Sequence, residues 1–502
     1  MFKSVSSNWL VTIITVVSAY VLTPFTLHRL GDGGYGTWIL IASITGYLAL
    51  LVLGVPMASV RFFAEHVASG DDERLNDAIA SCMGLYLMLG ALALLGGAVL
   101  FAFFTFSFAI PASIGTDARW AFAVTVLWVS LGFAGSLPSG VLAAADDFVA
   151  RNAVRLAGVV LRFGLTVAIL TIRPTLTMLA LVQLACLAFD FQLSWWVARR
   201  RHPALRLRLR SFDWQVVRRI FAFSLYVLIL SAGARLSMET DSIVIGKFDR
   251  IESIPYFTIA NSFIIYLMEF IIAISAVVMP MATRLKTQQR SPELRQIFLK
   301  WSKIAVSLTL LAGLFLIVLG PRFIAYWIGP SFEGPSGQVL QILMLSYLIF
   351  LPVRGVALPI LMGLGKPGLP TIAFLVAGIV NLGLSIALAG PYGIAGVAVG
   401  TAIPNVLFAG VVLVQACRLL DVPVGEYLRY VAPRAVIGAL PVLALLLWFR
   451  IGLDVRSLAA LAAAGIAMTA LFAATSIFFV YRNDPYVDLR GRLVGLRNWR
   501  RA

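Results

Sequence analysis

Seven ionisable residues, Arg162, Asp190, Arg235, Glu239, Asp241, Glu269 and Arg354, fall inside apolar stretches long enough to cross a bilayer, and Arg61 and Glu65 stand at the inner edge of another. Charged groups at such depth usually face a bundle interior or a wet cavity, because hydrocarbon solvates them poorly. An arginine there offers a planar fork of donors that stays charged at any physiological pH and grips an oxyanion through paired bonds. A carboxylate in the same setting is driven toward its protonated form, or held ionised by a cation. Oxyanion binding and ion coupling are therefore the chemistries these residues bring.

Each residue also has a structural reading. Arg162 and Asp190 lie on adjacent spans of opposite direction and read first as an ion pair internal to one bundle. Arg235 and Glu239 are four residues apart on one helical face and either neutralise each other or act together. Glu239 and Asp241 then come near the outer boundary, where partial hydration lowers their cost. Glu269 has no basic neighbour in sequence, so it is a candidate for proton or sodium coupling, or a partner of Arg235. Arg354 is bracketed by Pro352, Gly355 and Pro359, which predicts a broken helix whose freed backbone groups face protein or a water-filled cavity.

The elements that carry these residues are membrane helices. Hydrophobic residues make up 60% of the 502-residue chain and charged residues 13%, against roughly 45–50% and about 25% in soluble domains. That little charge cannot cover a soluble particle of this size. A hydrocarbon core about 30 Å thick takes about 20 apolar helical residues. On that length the spans fall at 7–28, 34–58, 79–108, 119–142, 153–172, 175–197, 218–243, 254–281, 302–320, 338–361, 368–389, 393–416, 433–449 and 456–480. The fold class is all-α, a polytopic bundle of about 14 transmembrane helices. The first apolar segment lacks a small-x-small cleavage pattern before Gly31 and reads as retained.

Orientation follows from the basic residues. With the N-terminus inside, cytoplasmic segments hold 29 Lys and Arg, the opposite loops eight, and Arg162, Arg235 and Arg354 lie within spans. This bias places both termini in the cytoplasm. It also explains the net charge of +17 without nucleic acid. The longest cytoplasmic loops, 199–219 and 283–303, leave no room for a folded catalytic domain. Cys82, Cys186 and Cys417, and His28, His66 and His202, are scattered, with no metal spacing or disulfide framework. No HExxH, GxSxG or Walker loop occurs, which leaves no positive case for an enzyme and no cofactor beyond a coupling ion, H+ or Na+. Residues 1–212 and 213–420 each carry six spans, with Leu30-Gly31…Tyr35…Tyr47 echoed by Ile245-Gly246…Tyr256…Tyr266, and residues 421–502 add two more spans and a basic tail. Two similar lobes around a central cavity are a common transporter plan.

The run Arg29-Leu-Gly-Asp-Gly-Gly-Tyr-Gly-Thr-Trp38, followed by Gly46-Tyr-Leu-Ala-Leu-Leu-Val-Leu-Gly54 and Arg61, resembles bacterial polysaccharide-biosynthesis flippases of the Wzx type. So do Asp241-Ser-Ile-Val-Ile-Gly246 with Ile254-Pro-Tyr-Phe-Thr-Ile-Ala260, and Pro138-Ser-Gly-Val-Leu with Arg151-Asn152 beyond it. Gly54-Val-Pro-Met-Ala58 departs from the acidic or Gly-rich turn frequent at that place. The resemblance, to a superfamily that also holds MATE exporters and the lipid II flippase MurJ, implies two six-helix lobes around a cationic cavity that opens alternately to either side. It implies an undecaprenyl-pyrophosphate-linked oligosaccharide as substrate, the bacterial inner membrane as location, and polysaccharide polymerase and chain-length machinery as partners. Arg61, Arg235 and Arg354 are then the candidate substrate-binding residues, and Glu239, Asp241 and Glu269 the candidate ion-coupling residues. Aromatics such as Tyr20, Trp38, Tyr47, Tyr226, Tyr256, Phe257 and Tyr266 suit sugar stacking, interfacial belts or packing. The alternatives are a MATE-like ion-coupled small-molecule antiporter, which favours an acidic cavity, and a membrane glycosyltransferase, ligase or polymerase, which needs a larger loop than this chain has.

Overall fold

The computed structural model describes residues 2–52, 54–206, 213–214, 217–218, 235–236 and 239–487. Among them every regular element is helical and no strand occurs. Eleven stretches are long and apolar enough to cross a membrane. Two of these, Leu10–Ser69 with 60 residues and Gly368–Leu419 with 52, exceed twice the about 20 residues that one crossing needs. Each is divided by a glycine: Gly31 at φ 70°, ψ 170°, and Gly393 at φ 55°, ψ −139°. A residue with a Cβ is strained in both conformations. The two breaks fall at the junctions expected between spans 28/34 and 389/393. The expected span 218–243 lies mostly outside the described residues.

Large apolar side chains point outward along these helices, among them Leu95, Val99, Phe106, Ile172 and Ile466. A surface this apolar needs lipid as its solvent. The chain is a multi-pass membrane protein.

Contacts divide the chain into two compact units, Met1–Pro255 and Tyr256–Ala502. In the first, α1 (Phe2–Gly46) runs through a short 3-10 turn, Tyr47–Val52, to α2 (Val55–Ser69). Then follow α3 (Asp72–Ser107), α4 (Gly115–Gly135), α5 (Leu137–Ala144), α6 (Phe148–Ile172), α7 (Leu176–Arg201) and α8 (Asp241–Phe248). The expected span 34–58 ends earlier than its apolar pattern. Gly54 at φ 86° breaks the helix and Pro56 opens the next, so Arg61 and Glu65 belong to a separate helix. Asp117 of α4 caps the start of α7, accepting the Leu176 and Thr177 amides at 2.7 and 3.0 Å. This holds apart two spans that only Arg173–Thr175 separates. The sequence layout sets a lobe boundary after 212, whereas the segment 241–253 packs on α1 and stays with the first unit.

The second unit is built from α9 (Ile254–Thr287), α10 (Ser291–Val318), α11 (Gly320–Trp327), α12 (Glu333–Pro352), α13 (Leu358–Gly363), α14 (Gly368–Leu419), α15 (Val424–Val431), α16 (Pro433–Leu447) and α17 (Leu458–Thr475). Helices α10, α16 and α17 share an apolar core that includes Leu314, Val442, Leu446, Leu461 and Phe472. The expected loop 283–303 is almost all helix, with Gln288–Arg290 alone between α9 and α10.

Candidate functional site

Within the first unit, the charged cluster gathers where the end of α1 meets Arg235 and residues 239–241. Arg235 donates through Nη1 to Glu239 Oε2, so the four-residue spacing does make an ion pair. The two side chains keep 25% and 39% of their surface open, which leaves room for a further ligand on the guanidinium. Gly46 permits this arrangement: a Cβ there would lie 2.9 Å from Arg235 Nη1 and 3.0 Å from Glu239 Oε2. The next residue, Tyr47, shares a 2.6 Å hydrogen bond with the Thr240 hydroxyl. Asp241, at the start of α8, is buried. Thus Gly46 and Tyr47, distant in sequence, complete a cluster of Arg235, Glu239, Thr240 and Asp241. Tyr47 stood among the candidate aromatics, but its link to Thr240 had no signal in the spacing.

In the second unit, Arg354 sits in a π-helical turn, Val353–Ala357, between α12 and α13. The prolines and glycine around it widen the helix without ending it. Ser275 of α9 donates to the Gly355 carbonyl at 3.1 Å, supplying a partner where the wide turn departs from regular helix. The Arg354 guanidinium lies 5.6 Å from the centre of the Phe374 ring. Tyr347 and Glu269 are within its electrostatic reach. Glu269 itself is exposed on α9. Within its own unit, Arg354 is a cation near Glu269, while Arg235 has Glu239 as a carboxylate partner.

Two further sequence readings are placed by local contacts. Arg61 is on the surface of α2, 3.5 Å from Glu65 with 73% of its side chain exposed, and no contact among the described residues joins it to Arg235. Arg162 and Asp190 do not close into an ion pair. Arg162 is exposed, and Asp190 Oδ1 is buried with no hydrogen-bond partner. The reason is local. Asp190 packs onto Gly158, where a Cβ would come within 2.3 Å of Oδ1, one turn short of Arg162.

Comparison with known proteins settles the family. Residues 79–334, half of the chain, match the model of the family described as "Polysaccharide biosynthesis protein". The chain belongs to that family. It is also 21% identical over 418 residues to the uncharacterized membrane protein EpsK of Bacillus subtilis (strain 168), covering 80% of each chain. Among solved structures it is similar to an inward-facing multidrug resistance MATE family transporter of the MOP superfamily, with TM-score 0.68, 16% identity and coverage of 82% of this chain and 98% of that one. The lipid II flippase MurJ in an inward closed conformation matches with TM-score 0.67, 15% identity and coverage of 94% and 99%. A Pyrococcus furiosus MOP transporter, whose described feature is reversed polarity of its binding pocket, matches with TM-score 0.58, 16% identity and coverage of 83% and 95%. The fold is that of the MATE and MurJ proteins. That fold is shared by a multidrug resistance transporter and a lipid flippase among the solved structures.

Proposed function

We propose that this protein flips an undecaprenyl-pyrophosphate-linked oligosaccharide from the cytoplasmic to the periplasmic leaflet of a bacterial inner membrane, for surface or exopolysaccharide assembly. Family membership supports a lipid-linked cargo. The observation that carries the reading is a pair of arginines within expected spans, Arg235 in the first unit and Arg354 in the second, both without full neutralisation. Arg235 has one carboxylate partner and open surface; Arg354 has a ring face and an acid in reach but no ion pair among the described residues. A pyrophosphate must lose water to cross a low-dielectric core, and guanidinium groups replace that hydration through bidentate bonds.

The second reading is a MATE-like ion-coupled antiporter of small molecules, favoured by the acids Glu239, Asp241 and Glu269 at the same places. Arginines would repel a cationic drug, so the sign of the transported head group separates the two. In the preferred reading, Glu269 couples transport to H+ or Na+ by changing its ionisation or ion occupancy between inward-open and outward-open states. Both termini are cytoplasmic, and polysaccharide polymerase with chain-length machinery receives the product.

Replacing both Arg235 and Arg354 with Ala is expected to abolish surface-polysaccharide assembly while membrane content of the protein stays at the parental level. Normal polysaccharide from a well-expressed double variant would remove both arginines from substrate recognition. Orientation is checked with alkaline phosphatase fusions. Fusion near Asp249 gives activity and fusion after Tyr481 gives none; an active C-terminal fusion would overturn the even number of spans.

A further inference from the structure

Unit 1 contains a second basic site, away from Arg235, that no role above uses. A cavity of about 390 Å³ lies among α2, α3, α4, α5, α6 and α7, at the end of the unit where α6 begins and α7 ends. Its wall includes Arg151, Arg155, Asp190, Ser139, Tyr86 and Ser194. Ser139 and Arg151 belong to the segment Pro138–Asn152 that stood out in sequence. Arg151 is half-buried and donates through Nε to the Ser139 hydroxyl at 3.2 Å. That bond uses one of the five guanidinium donors. Neither Arg151 nor Arg155 has a carboxylate within ion-pair distance among the described residues, although other arginines at this end do: Arg201 is 3.4 Å from Asp147.

The acid in the wall is not their counterion. Asp190 Oδ1 is buried with no hydrogen-bond partner, pressed against Gly158. Arg151 is half-buried and Arg155 exposed, and two arginines set against one acid leave the cavity net positive. Hydroxyl-bearing residues stand around it. We infer that this cavity is a binding site for a phosphate group, formed by Arg151 and Arg155 with the Ser139 hydroxyl orienting the first. Its volume admits a phosphate or pyrophosphate and excludes a whole oligosaccharide. The phosphate comes either from a lipid head group entering from the bilayer or from a free phosphate in solution.

The test measures binding, not transport. The full chain carrying Arg235→Ala and Arg354→Ala, so that the arginines proposed for cargo contribute nothing, is placed in phosphatidylcholine nanodiscs. Inorganic pyrophosphate and farnesyl diphosphate are titrated separately by calorimetry. Saturable binding of either is expected, weakened about tenfold or more by Arg151→Gln and by Arg155→Gln, the loss of a charge-assisted bond. Asp190→Asn is expected to bind at least as tightly, because an acid opposes an anion. Tighter binding of farnesyl diphosphate than of pyrophosphate assigns the site to a lipid-borne phosphate, and equal binding assigns it to a free one. Should Arg151→Gln fail to fold, Arg155→Gln and Asp190→Asn carry the test. Binding of neither ligand, affinity unchanged in the arginine variants, or affinity lost on Asp190→Asn would overturn the site. Because no cargo is moved, failure of the flippase reading leaves this result standing.

Discussion

Lys303, near the middle of a long helix in the second unit, and Arg151, in the first turn of one in the first, are both cations on apolar helices, yet their surroundings are finished differently. Lys303 of α10 is almost fully buried, with its Nζ 2.5 Å from Asp484 Oδ2 and lying over the rings of Tyr430 and Tyr481 at 4.7 and 5.4 Å. The other Asp484 oxygen accepts from the Tyr430 hydroxyl at 2.8 Å and from the amides of Tyr486 and Val487 at 3.0 and 3.1 Å. Tyr481 in turn donates to Ser307 at 2.9 Å. Every charge and most lone pairs there have a partner. Around Arg151 and Asp190, donors and an acceptor are left open beside a cavity. A completed polar cluster fixes structure, here pinning the chain after α17 onto α10 and α15. An incomplete one is suited to a ligand that comes and goes. Arg235 and Arg354 lie between these extremes, each partly occupied.

The largest effect is expected where the cluster is complete. Lys303→Met or Asp484→Asn leaves one buried charge or its acceptors unmatched, at a cost of about 3–5 kcal/mol. Lys303→Met with Asp484→Leu recovers part of that loss, because no lone charge remains, while the Tyr430 hydroxyl and the two amides still lack their acceptor. Thermal unfolding in detergent measures all three. Equal melting temperatures for the single variants and the parent would show the cluster to be incidental. Burial works against the Asp484 charge, but the Lys303 ammonium and the bonds from the Tyr486 amide and the Tyr430 hydroxyl prevail, holding its carboxyl below the ordinary value. Its contribution is therefore complete above the unfolded carboxyl pKa of about 3.9 and is lost as pH falls through the lower folded value. The Asp484→Asn variant lacks that acid limb.

The contrast also marks what was readable in the sequence. Span placement rested on apolar length, and the described helices follow it except where a single glycine decides the backbone, as Gly54 does; eleven stretches qualify as spans among the described residues, and the count of about 14 is not confirmed. The Arg235–Glu239 pair was legible because four-residue spacing fixes a helical face. Arg354 was legible as an anomaly from its prolines, though its outcome, a π turn tied to Ser275, depends on a neighbouring helix. The Lys303–Asp484 pair left no trace, and the Arg151 cavity showed only as the Pro138–Asn152 segment, since their partners are brought together by packing over many residues. Arg162 and Asp190 show the converse. Opposite charges on adjacent helices suggested a pair, and a glycine one turn away gave Asp190 a different seat.

At the small end of the scale stands Glu269, exposed and near Arg354 without pairing to it. Glu269→Gln keeps size and hydrogen bonding, so cargo binding is expected to stay close to the parental level while dependence of transport on an ion gradient disappears. The measurement that decides this also decides the account as a whole. Purified protein is reconstituted in proteoliposomes, and translocation of an undecaprenyl-pyrophosphate-linked oligosaccharide is followed with and without an imposed H+ or Na+ gradient. The account predicts protein-dependent translocation that the gradient accelerates, that Glu269→Gln uncouples from the gradient, and that Arg235→Ala with Arg354→Ala abolishes. Translocation no faster than in protein-free vesicles, alongside gradient-driven export of a small cation by the same preparation, would contradict it and identify the chain as an antiporter.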